Sequence, residues 1–128
     1  MLNMVTFLVR EYDEAKRYFI DSLDFTLIED TIINSTKRWL VVGSPRGKCT
    51  LLLAKATTQL QRDRIGSQAG DRVAFFLHTE DIERDYAKMR SRGIRFLEEP
   101  RIEHYGTVVQ FSDLYGNKWD LIQPVTKQ

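Results

Sequence analysis

Few side chains in this 128-residue sequence combine a reactive type with a useful position. His78 ends an apolar segment, directly before Thr79. A general base there would need a polar partner and reach to a substrate, and a histidine at a strand end is more simply a partly exposed residue. His104 and Tyr105 precede Gly106 in a stretch that leads into the apolar run 107–111. Loops at the mouth of a sheet often touch ligands, so both are candidate contacts. Gln110 adds a carboxamide to that run; it faces either the cavity or the helices, and its polarity favours the cavity. Cys49 alternates with Leu51 and Leu53, while Lys48 falls on the other face. Without an activating neighbour the thiol reads as a small buried hydrophobe, not a nucleophile. Gly43 and Gly47 bracket a connection that lacks the Lys-Ser/Thr of a phosphate loop. Asp113 and Asn117 flank a turn, where backbone capping accounts for them. Trp39 and Trp119 read as structural.

The composition behind these residues excludes several classes. With 19 Lys+Arg against 18 Asp+Glu the net charge is +1, and 42% of residues are hydrophobic and 11% aromatic. A disordered chain would carry fewer aromatics and more charge imbalance. One cysteine cannot make a disulfide scaffold. The neutral balance leaves no electrostatic footprint for nucleic acid. No apolar run approaches the roughly 20 residues of a membrane span, and the opening MLNMVTFLVREYDEAK lacks the order of a signal peptide. A cytoplasmic domain is the expectation.

The elements that must position the candidates come in two copies. Met4-Val5-Thr6-Phe7-Leu8-Val9 matches Arg72-Val73-Ala74-Phe75-Phe76-Leu77 in pattern, and later positions follow suit, with Phe25 over Ile94, Gly47 over Gly116 and Leu52 over Leu121. Each copy opens with period-2 alternation, the signature of a strand. Each then shows a helical stripe: Ala15, Tyr18, Phe19 and Leu23 in the first, Ile82, Tyr86 and Met89 in the second. Thr79 is the expected N-cap of the second helix and Gly93 its C-terminal stop. Three strand-like runs follow in each copy, at 26–30, 38–42 and 49–53, then at 95–98, 107–111 and 118–122. The reading is α+β: two βαβββ modules, 1–54 and 71–124, in a single domain, joined by a linker 55–70 with a short helix around 58–65.

Paired βαβββ modules resemble the vicinal oxygen chelate superfamily, which includes glyoxalase I, bleomycin-resistance proteins and extradiol dioxygenases. The stretches DEAKRYFIDSLDF, RVAFFLHTEDIERDYAKMRSRGIRF and DLYGNKWDLIQP carry the likeness, the last resembling the family's usual Asp-Pro-x-Gly-Asn-x-x-Glu-Leu close. The resemblance implies a curved sheet around a cleft, with a metal held by the first and last strands of each module. It places those four positions on Met4, Leu51, Arg72 and Asp120. Of these only Asp120 is a good ligand for a divalent cation, and Arg72 would repel one. No metal and no cofactor are therefore expected. Arg72 and Asp120 are instead expected to pair; either Arg72, held by Asp120, binds the carboxylate, enolate or phosphate of a small molecule, or the pair fills the former site and does nothing else. Alternation puts Phe76 on the same face, where it could stack on a flat ligand, although a plain core aromatic is the simpler expectation.

Three functions follow from the resemblance. The first is a metal-independent binder of a small organic molecule, an anion among the classes expected, held in the cleft of a homodimer. The second is an enzyme of glyoxalase or dioxygenase type. The third is an interaction module whose cleft is filled by Met4, Leu51 and Phe76.

Overall fold

A computed structural model describes residues 1–126 of the chain. It divides between Gln68 and Ala69 into two compact units. Among the described residues, no helix is long and apolar enough to cross a membrane.

The first unit runs β1 (Met4–Val9), α1 (Tyr12–Arg17), a π-helical continuation (Tyr18–Ser22), β2 (Thr26–Ile32), β3 (Arg38–Gly43), β4 (Thr50–Lys55) and α2 (Gln59–Arg64). Its sheet has the order β1-β4-β3-β2, with β1 parallel to β4 and the other pairs antiparallel. The second unit repeats the plan with β5 (Val73–His78), α3 (Ile82–Ser91), β6 (Arg95–Phe96), β7 (Arg101–Glu103), β8 (Gly106–Ser112) and β9 (Lys118–Pro124). Here β5 is parallel to β9, the order is β5-β9-β8-β6, and β7 also pairs with β8. The α+β architecture of two βαβββ modules is therefore present. The run expected at 95–98 is shorter, and β7 follows it after a break at 97–100 that contains Pro100.

In each unit the helix covers one face of the sheet. Phe7 of β1, Phe19 and Phe25 meet edge to face at 5.0 Å centroid spacings, and Phe7, Phe19, Leu40, Val42 and Leu53 are fully buried. In the second unit Trp119 lies 4.6 Å from Phe75 and stacks on Phe111, while Phe96 joins Phe111 to Tyr86 of α3. Such ring pairs contribute about 0.5–1.5 kcal/mol each beyond their buried area. Since strand residues alternate in direction, the face opposite each helix carries the intervening side chains.

The two helices differ by one residue. From N-cap to the residue of left-handed backbone, the first spans Glu11 to Asp24 (φ 60°) and the second Asp81 to Gly93 (φ 85°). The additional residue in the first is taken up as a π turn, where the Leu23 N–H reaches back to the Tyr18 carbonyl at 3.2 Å. Thr79 is not the cap of α3. Asp81 is, accepting from the Arg84 N–H at 3.1 Å, while the Thr79 hydroxyl accepts from the Asp81 N–H and donates to Asp85. A carboxylate two residues further on competes better for the free N–H groups of the first turn.

One further expectation changes. Cys49 lies before β4 and is exposed, so it is not a core hydrophobe. The short helix expected around 58–65 is present as α2. Thr58 caps α2 by accepting from the Gln61 N–H, and the Gln68 carboxamide grips β1, accepting from the Leu8 N–H at 2.7 Å and donating to the Thr6 carbonyl at 3.0 Å.

Candidate functional site

The open face of the second sheet brings several polar groups into one row. Register aligns Phe76 on β5 with Asp120 on β9, and Asp120 with Gln110 on β8. Arg101 on β7 sits opposite Val108, one step along the same face. Trp119, the residue before Asp120, turns the other way into the aromatic core, where its indole N–H donates to Asp113 at 2.8 Å. Asp113 also accepts from the N–H groups of Tyr115, Gly116 and Asn117, as its turn position implied.

Asp120 is the unusual member of the row. It is only 7% exposed, yet its Oδ1 is buried without a hydrogen-bond partner. Burial pushes its carboxyl above the ordinary aspartate value; the charge of Arg101 opposes this shift and that of Glu98 adds to it. An unsatisfied buried carboxyl costs about 1–3 kcal/mol or more, so this oxygen calls for a partner such as an ordered water, an ion or a ligand. Phe76, beside it, is 59% exposed, an uncommon state for a phenylalanine in mid-strand.

The guanidinium near Asp120 is that of Arg101, and it is already engaged. Arg101 donates to Glu98 at 3.0 Å and to Glu103 at 2.5 Å, which together with nearby Tyr105 hold it firmly charged. Glu98 in turn accepts from the Gln110 N–H at 2.9 Å. The alternating Arg-Ile-Glu after Pro100 puts Arg101 and Glu103 on one face, a signal the sequence carried and the strand assignment passed over.

The expected ion pair between Arg72 and Asp120 is absent. Arg72 is exposed in a bend before β5 begins at Val73, and a register shift between Val73 and Phe75 sets Phe76 beside Asp120. Leu51 also departs from expectation. It pairs with Val5 and Val42 on the helix-covered face and is 5% exposed, so the residue of β4 that shares a face with Thr6 is Leu52. Met4 opens β1 opposite Thr50 and is half-buried. His104 and Tyr105 form the exposed turn between β7 and β8, with their rings edge to face at 5.2 Å. His78 is exposed at the end of β5, opposite Ile122.

These donors do not fit a divalent cation. Of the four positions that the resemblance singles out, one is a thioether, one is an alkyl side chain turned into the core, one is an exposed guanidinium and one is Asp120. Among the described residues no three His, Cys, Asp or Glu side chains come together as a metal would require.

Comparison with known proteins agrees with this architecture. A family model described as the Glyoxalase/Bleomycin resistance protein/Dioxygenase superfamily matches residues 1–121. An uncharacterized protein of Shewanella frigidimarina (strain NCIMB 400) is 48% identical over 126 residues, 97% of this chain and 93% of that one. Among solved structures, UcmS2 superposes with a TM-score of 0.81 at 29% identity, covering 95% of this chain and 96% of its own. TnmS3, an antibiotic binding protein from Streptomyces sp. CB03234, gives 0.80 at 25% identity, covering 98% and 96%.

Proposed function

This chain belongs to the Glyoxalase/Bleomycin resistance protein/Dioxygenase superfamily, and from that premise we propose that it binds a small, flat organic molecule on the open face of its second sheet, without a metal. The observation that carries this reading is the register pairing of an exposed Phe76 ring with the buried, unpartnered carboxyl of Asp120. An apolar platform beside a few polar points is how small-molecule sites are usually made. Gln110 adds a half-buried carboxamide next to the carboxyl, and His104 and Tyr105 stand at the turn above the β7–β8 end. The likeness to an antibiotic binding protein supports an organic ligand over a macromolecular partner. The exposure of Phe76 also speaks against a cleft filled by its own side chains.

We place this protein in the cytoplasm as a homodimer, since each module's sheet ends in edge strands that a partner could cover. A second reading, proton transfer at Asp120, draws on the upward displacement of its carboxyl, the state suited to a general acid or base.

The test is a thermal-shift screen of planar aromatic compounds against wild type and Phe76→Ala. Stabilisation of the wild type that is lost in the variant supports the reading. Equal stabilisation of both proteins, or of neither, removes Phe76 from any binding site.

A further inference from the structure

Asp120, Glu98 and Glu103 place three carboxyl groups on this face, and the guanidinium of Arg101 directs its donors to Glu98 and Glu103 and not to Asp120. Arg95 of β6, opposite Ser112, lies toward the other end of the face. Arg72, the cation expected beside Asp120, is exposed outside β5. Lys118 lies two residues from Asp120 on the same strand, and its ammonium donates to the Asp71 carbonyl at 3.2 Å. No cation among the described residues bonds the buried Oδ1.

An anion brought to this face would meet the buried Asp120 carboxyl, whose Oδ1 no cation bonds, in surroundings of low local dielectric where like charges repel strongly. A ligand carrying a donor would instead satisfy the orphaned oxygen and offset its desolvation. From this arrangement we infer that the site selects ligands presenting a hydrogen-bond donor, above all a protonated amine, to Asp120 from an aromatic frame laid on Phe76. This rests on the ligand-binding reading above and names the chemical class that site takes. It also replaces the anion expectation, which depended on Arg72 lying beside Asp120.

Four probes on one naphthalene frame test it by titration into the full chain: naphthylmethylamine, naphthol, methoxynaphthalene and naphthoate. The ammonium probe should bind tightest and naphthol next. Methoxynaphthalene should be weaker than the ammonium by about tenfold or more, the range of a charge-assisted hydrogen bond, and naphthoate weakest of all. In Asp120→Asn the ammonium should fall to the level of methoxynaphthalene. In Phe76→Ala all four should weaken together. A wild-type order led by naphthoate overturns the donor assignment. So does an order unchanged in Asp120→Asn while Phe76→Ala weakens every probe, and this result leaves the binding face standing. No binding by any probe, or binding indifferent to Phe76→Ala, overturns the face itself and the donor assignment with it.

Discussion

Phe76 and Asp120 are register partners on the parallel strands β5 and β9, so a ring that is 59% exposed and a carboxyl that is 7% exposed share one face of the sheet. Stability alone favours the reverse, with the ring covered and the carboxylate in water. On the proposed reading, a fold that keeps this pair trades stability for a surface that holds a ligand.

The first prediction concerns that trade. With its carboxyl raised by burial, the folded chain retains a proton between the ordinary aspartate value, about 3.9, and the raised one, while the unfolded chain has lost it. Stability therefore falls as pH rises through this window. Asp120→Asn should remove that slope and stabilise the protein at pH 7 by about 1 kcal/mol. Melting curves of the two proteins from acid to neutral pH check it. The other charged groups on or beside this face, Arg95, Arg101, Glu98, Glu103, Lys118 and His78, are common to both proteins, so the difference isolates Asp120 together with its coupling to Arg101 and Glu98. A variant less stable than wild type at neutral pH would contradict the assignment.

The opposite sign is expected at Asp30 in the first unit. Hydrogen bonds from Arg38 and then Lys16 lower its carboxyl from 3.8 to about 2. This contribution is complete above the unfolded value and is lost as pH falls from 3.8 toward 2. Arg38→Gln should cost about 1–2 kcal/mol at neutral pH, allowing for solvent screening of a part-exposed pair. The gap between variant and wild type should narrow in acid, as read by denaturant titration at several pH values.

Gln68 provides a third test. Its carboxamide bonds the Leu8 N–H and the Thr6 carbonyl, so a side chain supplies what a neighbouring strand would give at the free edge of β1. Gln68→Ala should cost about 1–2 kcal/mol, and hydrogen exchange at the Leu8 amide should speed up by roughly tenfold. Exchange at the Leu53 amide, inside the sheet, should change far less.

The doubling of the module was legible because most strands alternate cleanly, and alternation reports both strand and face. It failed where alternation fails. The run Leu51-Leu52-Leu53 is apolar throughout, so its face cannot be read from pattern and Leu51 was assigned to the wrong side. Lys118-Trp119-Asp120-Leu121 does alternate, and Asp120 was placed on the open face correctly. Arg72 falls short of Asp120 because β5 begins at Val73, opposite Lys118, which leaves Arg72 outside the strand and below the level of Asp120; the irregularity between Val73 and Phe75 then sets Phe76 beside that carboxyl. Arg101 escaped because Glu98-Glu99-Pro100 reads as the end of a strand, although β7 resumes immediately after it.

Metal content gives a fourth prediction. The purified protein should carry no stoichiometric Zn, Ni, Fe or Mn, and a chelator should leave its melting temperature unchanged. A tightly held ion whose loss follows Asp120→Asn would mean that donors beyond those identified converge on this carboxyl.

The most direct test of the central claim is amide-resolved NMR during titration with naphthylmethylamine. The account predicts that the largest shifts fall on Phe76, Gln110 and Asp120, three residues aligned across β5, β8 and β9. Shifts confined to other surfaces, with these three amides unmoved at saturation, would contradict it.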